Sequence, residues 1–389
     1  MHPTPLLLLG LSAPAHVLSA LLYATHYTGT LSVLSLTNSS LTILSSAADC
    51  GASPSWVTYD AANKVLYCVD ELNQGGSVNA LAADAEGGLV AFASAKLAGN
   101  PVHSALYGGE DGVSFQAFAH YSGSQISTLA LPLTPSSAPL QTFPFTMSSP
   151  GPDPSRQDAP HPHMAAVDPS GGYIVFPDLG ADLLRIYAVD APTGLLTSCA
   201  NVTVRGGSGP RHVAFWEGEG GGGAGGETMM YLGNELGNDV SVFAVAYPEG
   251  EGCLGLVEVQ TATPYEDGQV VKDGQKIGEV RVKGNTLLVS NRADATFGAT
   301  NDSIAVFPID ASGALGVPVI SPTYGSYPRT MQVNAAGDLV AVGNQNSGTV
   351  VVVRRDVGTG ALGGVVASVV VGPEGVDGNG GLSSVVWAE

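Results

Sequence analysis

The chain has 389 residues, among them 52 glycines and 25 prolines, and 44% of it is hydrophobic, which allows a large core but favours turns and strands over helices. Only 12% of residues are charged, and a net charge of −20 leaves no basic stripe able to neutralise phosphates, so a nucleic-acid surface is excluded.

Residues 1–20 read as a secretory signal. The apolar run LLLLGL from Leu6 is followed by the small residues Ala13, Ala15, Ser19 and Ala20, with cleavage expected near Ala20. No other segment approaches the length of a membrane span. Secretion also suits the four cysteines, Cys50, Cys68, Cys199 and Cys253, and the sequons at Asn38, Asn201 and Asn301, which predict a glycoprotein. Sequence does not fix the cysteine pairing, but Cys50 with Cys68 and Cys199 with Cys253 would each tie neighbouring strands. None of the cysteines has metal-ligand spacing, and no zinc site is expected.

Residues 21–389 form one domain built on a repeated phrase: a Pro or Gly turn, an apolar strand, a Gly/Asp/Asn turn, a second apolar strand and a polar loop. The chain opens in mid-phrase with LLYATHYTGTLSVLSL at Leu21. Full copies start at Pro54 (PSWVTYDAANKVLYCVDELN), Pro101 (PVHSALYGGEDGVSFQAFAHYSG), His161 (HPHMAAVDPSGGYIVFPDLGADLLRIYAVD), Gly209 (GPRHVAFW, resuming at MMYLGNELGNDVSVFAV), Ile277 (IGEVRVKGNTLLVSNRAD) and Tyr327 (YPRTMQVNAAGDLVAVGNQNSGTVVVVRRD). A repeat of about 40 to 50 residues made of short strands is the pattern of an all-β propeller, one blade per copy. The last ten residues, GGLSSVVWAE from Gly380, have the rhythm of a first strand and supply the one missing from the opening phrase. Seven blades are therefore expected, with the N- and C-terminal strands closing the same blade. Two low-complexity stretches read as loops. The Gly-rich insertion from Gly218 to Glu227 is expected on the face away from the site, and the Pro/Ser-rich segment ending at His163 as an extended connection folded over the ring.

Successive strands of a blade reverse direction, so the start of the innermost strand and the end of the second strand share one mouth of the central channel. Those slots hold His26, Trp56 and Glu71, His103 and His120, His161, His163 and Asp178, Arg211, His212 and Glu235, Glu279 and Arg292, Arg329 and Gln345. Most of the eight histidines fall there, as do three arginines from only 14 basic residues. Arginine forks suit carboxylate or phosphate oxygens, His163 is suited to proton transfer, and Glu235 could orient an arginine or the histidine or itself move a proton. A small anionic or lactone substrate, rather than a macromolecule, is the expected partner, on a monomeric secreted protein.

The phrases HPHMAAVDPSGGYIVFPDLGAD, GSGPRHVAF, NELGNDVSVF, SNRAD with DSIAVF, and YPRTMQVNAAGDLVAVGNQNSGTVVVVRRD together resemble the lactonase family of seven-bladed propellers. That family includes propeller-type 6-phosphogluconolactonases and fungal 3-carboxy-cis,cis-muconate lactonizing enzymes. The resemblance implies a catalytic set of His163, Arg211, Glu235 and Arg292, and a lactone ring opened by water or closed by a carboxylate without metal or cofactor; the other slot residues are expected to bind substrate. Two other classes compete. One is a secreted, non-catalytic propeller that binds a glycan, an anion or a protein. The other is a calcium-dependent propeller lactonase, for which Glu71, Asp178, Glu235 and Glu279 would have to converge, although nearby arginines would repel the cation.

Overall fold

The computed structural model describes residues 19–218 and 227–389. The signal-peptide expectation falls almost entirely outside the described residues, as does the centre of the Gly-rich insertion. Every regular element described is a strand, and the strands form seven antiparallel sheets arranged as the blades of a ring. Blade 1 is the closing blade: its innermost strand, Leu382–Trp387, comes from the C-terminus and pairs with Ser19–His26 from the N-terminus, with Leu22 opposite Trp387 and Ala24 opposite Val385. Ring closure thus rests on ladder hydrogen bonds between the two ends of the chain.

The innermost strands of blades 2 to 7 begin at Pro54, Pro101, Ala166, Pro210, Lys276 and Pro328, and each is followed outward by three further strands, with Val202–Thr203 as a fifth strand in blade 4. Burial follows position within the blade. Middle strands are packed on both faces, so Thr349–Arg355 can carry the run of four valines from Val350 to Val353, all at 2% exposure or less. Outer strands cover one face only, and Val257 and Val259 of Gly255–Ala262 stand in solvent. Seven apolar clusters fill the seven spaces between neighbouring blades; Leu22, Leu339 and Leu382 join blade 7 to blade 1, and Leu232, Met230 and Val175 join blade 4 to blade 5. The core is therefore a circle of interfaces, and the axis is left for polar groups.

Two disulfides have the anticipated partners. Cys50, in the connection from blade 1, bonds Cys68 of blade 2, and Cys199 after blade 4 bonds Cys253 of blade 5. Of the sequon asparagines, Asn38 and Asn201 are exposed, whereas Asn301 is half-buried and its side-chain oxygen accepts from the Tyr324 amide.

The crosslinks close loops of unequal length, with sequence separations of 18 for Cys50–Cys68 and 54 for Cys199–Cys253. In the loop-entropy account the longer one contributes about 4 kcal/mol and the shorter about 3 kcal/mol. Thermal unfolding should accordingly show a larger fall in Tm for Cys199→Ser/Cys253→Ser than for Cys50→Ser/Cys68→Ser; the opposite ranking would mean that local packing, not chain closure, sets the effect.

Candidate active site

The innermost strands do not run straight into the channel. In six blades the first ladder pairs are interrupted by a register shift: between Pro54 and Trp56, Pro101 and His103, Pro210 and His212, Ile277 and Val280, Pro328 and Thr330, and, in the closing blade, Leu382 and Ser384. A bulge opposes an extra residue to one partner and re-aims the neighbouring side chains. It sorts consecutive residues into two tiers. The upper tier includes Val102, His163, Arg211 and Arg329; the lower includes Trp56, His103, His212 and Glu279.

Above the upper tier lies a cavity of about 620 Å³, lined by Glu71, His163, Glu235, Arg292 and Arg329 together with Tyr27, Tyr121, Arg156, Lys276, Tyr327 and the loop Asp377–Gly380. At its base stands Glu235. Its carboxylate accepts from Arg156 Nη2 at 2.6 Å and lies 2.9 Å from Arg211 Nε and 2.8 Å from Arg292 Nη2. Burial by itself would raise this carboxyl, but Arg292, Arg156 and Arg211 together hold it well below the ordinary carboxylate range. Glu235 is thus an anion at neutral pH and gathers three cations. Burial, then the Arg292 charge, pulls Arg211 below the usual guanidinium range, yet it remains a cation at any working pH. Its Nη1 donates to the Gly278 carbonyl, and a Cβ at position 278 would meet the Pro328 carbonyl at 2.5 Å, so only glycine permits this approach of blades 5, 6 and 7.

His163 packs edge-on to Tyr121 and His212, with ring centroids 5.7 and 5.1 Å away. Its Nδ1 is buried without a hydrogen-bond partner among the described residues. Burial, followed by the Arg211 charge, pushes its pKa well below the ordinary imidazole value, so the ring is neutral at pH 7. A neutral imidazole beside a cationic cavity can accept a proton from water but has none to spare.

The family model described as "Lactonase, 7-bladed beta-propeller" matches residues 21–377. The chain belongs to this lactonase family. Among its relatives, a "Probable 6-phosphogluconolactonase" of Arthroderma benhamiae is 30% identical over 312 residues, covering 80% of this chain and 76% of the relative. The 6-phosphogluconolactonase of Bacillus subtilis is 28% identical over 313 residues, covering 79% and 82%. The structure of a periplasmic gluconolactonase of Pseudomonas aeruginosa superposes with a TM-score of 0.76 at 26% identity, covering 95% of this chain and 99% of that one.

In this member of the lactonase family, the residues expected from sequence divide by position. Four named by the family resemblance come together around Glu235, although Arg211 is buried behind the carboxylate and does not line the cavity. Trp56, His103, His212 and Glu279, expected at the mouth, occupy the lower tier because of the bulges. There Trp56 packs on His103 at 4.0 Å, and His212 Nδ1 donates to Glu279 at 2.8 Å. His26 and His120 are one residue out of register. Each ends a second strand with its ring turned into the blade: His26 bonds the Pro373 carbonyl, and His120 bonds the Ala98 carbonyl and the Ser127 hydroxyl. The following residues, Tyr27 and Tyr121, are the ones that reach the cavity, since a one-residue step along a strand reverses the face. His161 is spent on the Tyr121 carbonyl and Asp158, Asp178 on the His161 amide and Arg185, and Gln345 on holding the Asp377–Gly380 loop through Gly378 and Gly380. Of the four carboxylates that a calcium site would need, three are parcelled out, Asp178 to Arg185, Glu235 to three arginines, and Glu279 to His212 and Arg281, and Glu71 alone has no ion pair among the described residues.

Arg156 is the functional group that sequence reasoning missed. It lies in the Pro/Ser-rich connection, which is anchored by Gln157 donating to the Leu179 carbonyl and passes beside the mouth. The one available signal was that Arg156 is the sole basic residue of that segment.

Glu235→Gln should leave Arg156, Arg211 and Arg292 facing one another without their counter-ion, at a cost of about 3–5 kcal/mol near pH 7. The sign with pH follows from the depressed pKa values. Glu235 stabilises the fold above the unfolded carboxylate pKa, and that contribution is lost as pH falls through its lower folded value. Neutral, buried His163 and His212 add a decline that begins below the unfolded histidine value of 6.5. Urea titrations from pH 7 to pH 3 should show wild-type stability falling throughout, with the steepest acid part absent in Glu235→Gln.

Proposed function

We propose that this protein is a lactone hydrolase acting on a small ring ester that carries a carboxylate, a phosphate or several hydroxyls, and that the reaction takes place in the cavity over Glu235. The observation that carries this reading is the cavity itself: a neutral histidine and an array of arginines pinned by one buried glutamate. The names of the relatives, 6-phosphogluconolactonase and gluconolactonase, support the sugar-lactone class.

The roles follow from charge and position. His163 takes a proton from a water molecule as that water attacks the lactone carbonyl. Arg292, which lines the cavity while its Nη2 is held by both Glu235 and the Ile277 carbonyl, faces the negative charge that develops on the carbonyl oxygen. Arg211 and Glu235 act from below as positioning residues. Arg156, Arg211 and Arg292 are committed to Glu235, whereas Arg329 and Lys276 line the cavity in no ion pair among the described residues. Arg329, whose guanidinium stands 5.5 Å from the Tyr27 ring, is therefore assigned to the substrate's anionic group. A neutral His163 suits the removal of a proton from an attacking water, and hydrolysis is the favoured direction on that ground. Two disulfides suit an oxidising compartment, and we assign the protein outside the cytoplasm on that ground.

Purified protein assayed by proton release on gluconolactone, its phosphorylated form and a carboxylated lactone should accelerate ring opening above the buffer rate. Arg329→Ala should raise KM about tenfold or more for the anionic lactones while changing kcat less than about threefold. Because His163 is already neutral below pH 6.5, kcat/KM should show no acid limb near that value. Binding of these lactones without any turnover would instead favour a non-catalytic propeller.

A further inference from the structure

The cavity is lined by two glutamates at equivalent chain positions, Glu235 buried and Glu71 half-buried. Glu71 follows the second strand of blade 2, Val65–Asp70, as Glu235 follows the second strand of blade 5, Thr228–Asn234. Both line the cavity, yet their surroundings are opposite. Glu235 has three guanidiniums within 4 Å, whereas Glu71 has no ion-pair partner among the described residues. The Tyr27 hydroxyl donates to its Oε2 at 2.9 Å, and its backbone is fixed by the Glu71 amide donating to the Ser53 carbonyl.

We infer that Glu71 is the general acid of the reaction, delivering a proton to the ring oxygen as the lactone C–O bond breaks. This rests on the hydrolytic reading above and gives the leaving alkoxide a proton donor distinct from the His163 imidazolium, which holds the proton taken from water. Enzymes separate such roles by placing two titratable groups in environments that push their pKa values apart. Burial raises the Glu71 carboxyl above its ordinary value, opposed by the Arg329 charge, the Tyr27 and Ser55 hydroxyls and the Arg211 charge, while the arginines around Glu235 depress that carboxyl. Asp377, the other carboxylate lining the cavity, is exposed to solvent on the rim loop. The tyrosines are poorer donors: the Tyr27 hydroxyl is engaged with Glu71 and the Tyr121 hydroxyl accepts from Arg156.

The step balances without a co-reactant. Water oxygen bonds to the carbonyl carbon and its proton passes to His163. As the tetrahedral intermediate collapses, the ring C–O bond breaks and the freed oxygen takes the proton of Glu71. The imidazolium then returns a proton to solvent and the Glu71 carboxylate recovers one, so one water is consumed and one hydroxy acid is released.

An acid that protonates the leaving oxygen matters only when that oxygen is basic. Glu71→Gln should therefore lower kcat on an aliphatic sugar lactone by about 10²-fold or more. On an aryl lactone such as dihydrocoumarin, whose phenolate leaves unaided, the loss should stay within about fivefold. Tyr27→Phe removes a hydrogen bond that favours the carboxylate, so the alkaline limb of kcat should move to higher pH. This second variant keeps the test open if Glu71→Gln folds poorly. Equal losses on both lactones, or an alkaline limb unmoved by Tyr27→Phe, would overturn the assignment while leaving the hydrolase reading intact. Absence of turnover in the wild type would instead overturn the hydrolase reading, and this one with it.

Discussion

One carboxylate sets the terms for this molecule's axis. Glu235 sits within 2.9 Å of guanidinium nitrogens from Arg156, Arg211 and Arg292, which arrive from three separate stretches of chain. Two such cations about 5.5 Å apart repel by about 3 kcal/mol at an effective dielectric constant of 20, and three of them would not share a buried space unaided. The anion lets them converge, and their combined field keeps the anion ionised in turn. The same field, together with burial, strips His163 of its proton. Charge organisation, not any single side chain, makes the cavity fit for an acidic substrate on a protein whose net charge of −20 repels anions from a distance.

The propeller makes such convergence possible at low cost to stability. Its apolar packing is confined to the interfaces between blades, so the channel can be given over to ionised and hydrogen-bonding groups without hollowing out the core. Residues at or just before the starts of several inner strands form the two tiers, and the bulges there determine which look up into the cavity and which look down. The lower tier, Trp56 on His103 and His212 on Glu279, closes the channel beneath the cavity and separates it from the opposite face.

Much of this was legible in the chain. The repeated phrase gives the blades, the stray first strand at Gly380–Glu389 gives the closure, and the turn positions give the mouth. His163, Arg292 and Arg329 were found by slot counting because each occupies its slot in the register that slot counting assumes. His26 and His120 failed by a single residue, since alternation turns a one-step error into the wrong face, and the lower-tier residues failed because a bulge leaves no mark in the pattern of apolar residues.

The sequence alone determined the number of blades, their order and the kinds of charge available, because strand periodicity and turn chemistry are local properties. Tertiary structure alone decided that Arg156 belongs to the site, that Arg211 stands behind Glu235, and that two glutamates at matching positions carry opposite protonation tendencies. Those outcomes depend on distances between groups tens to hundreds of residues apart and on how much water each retains, and neither quantity is written in the order of the residues.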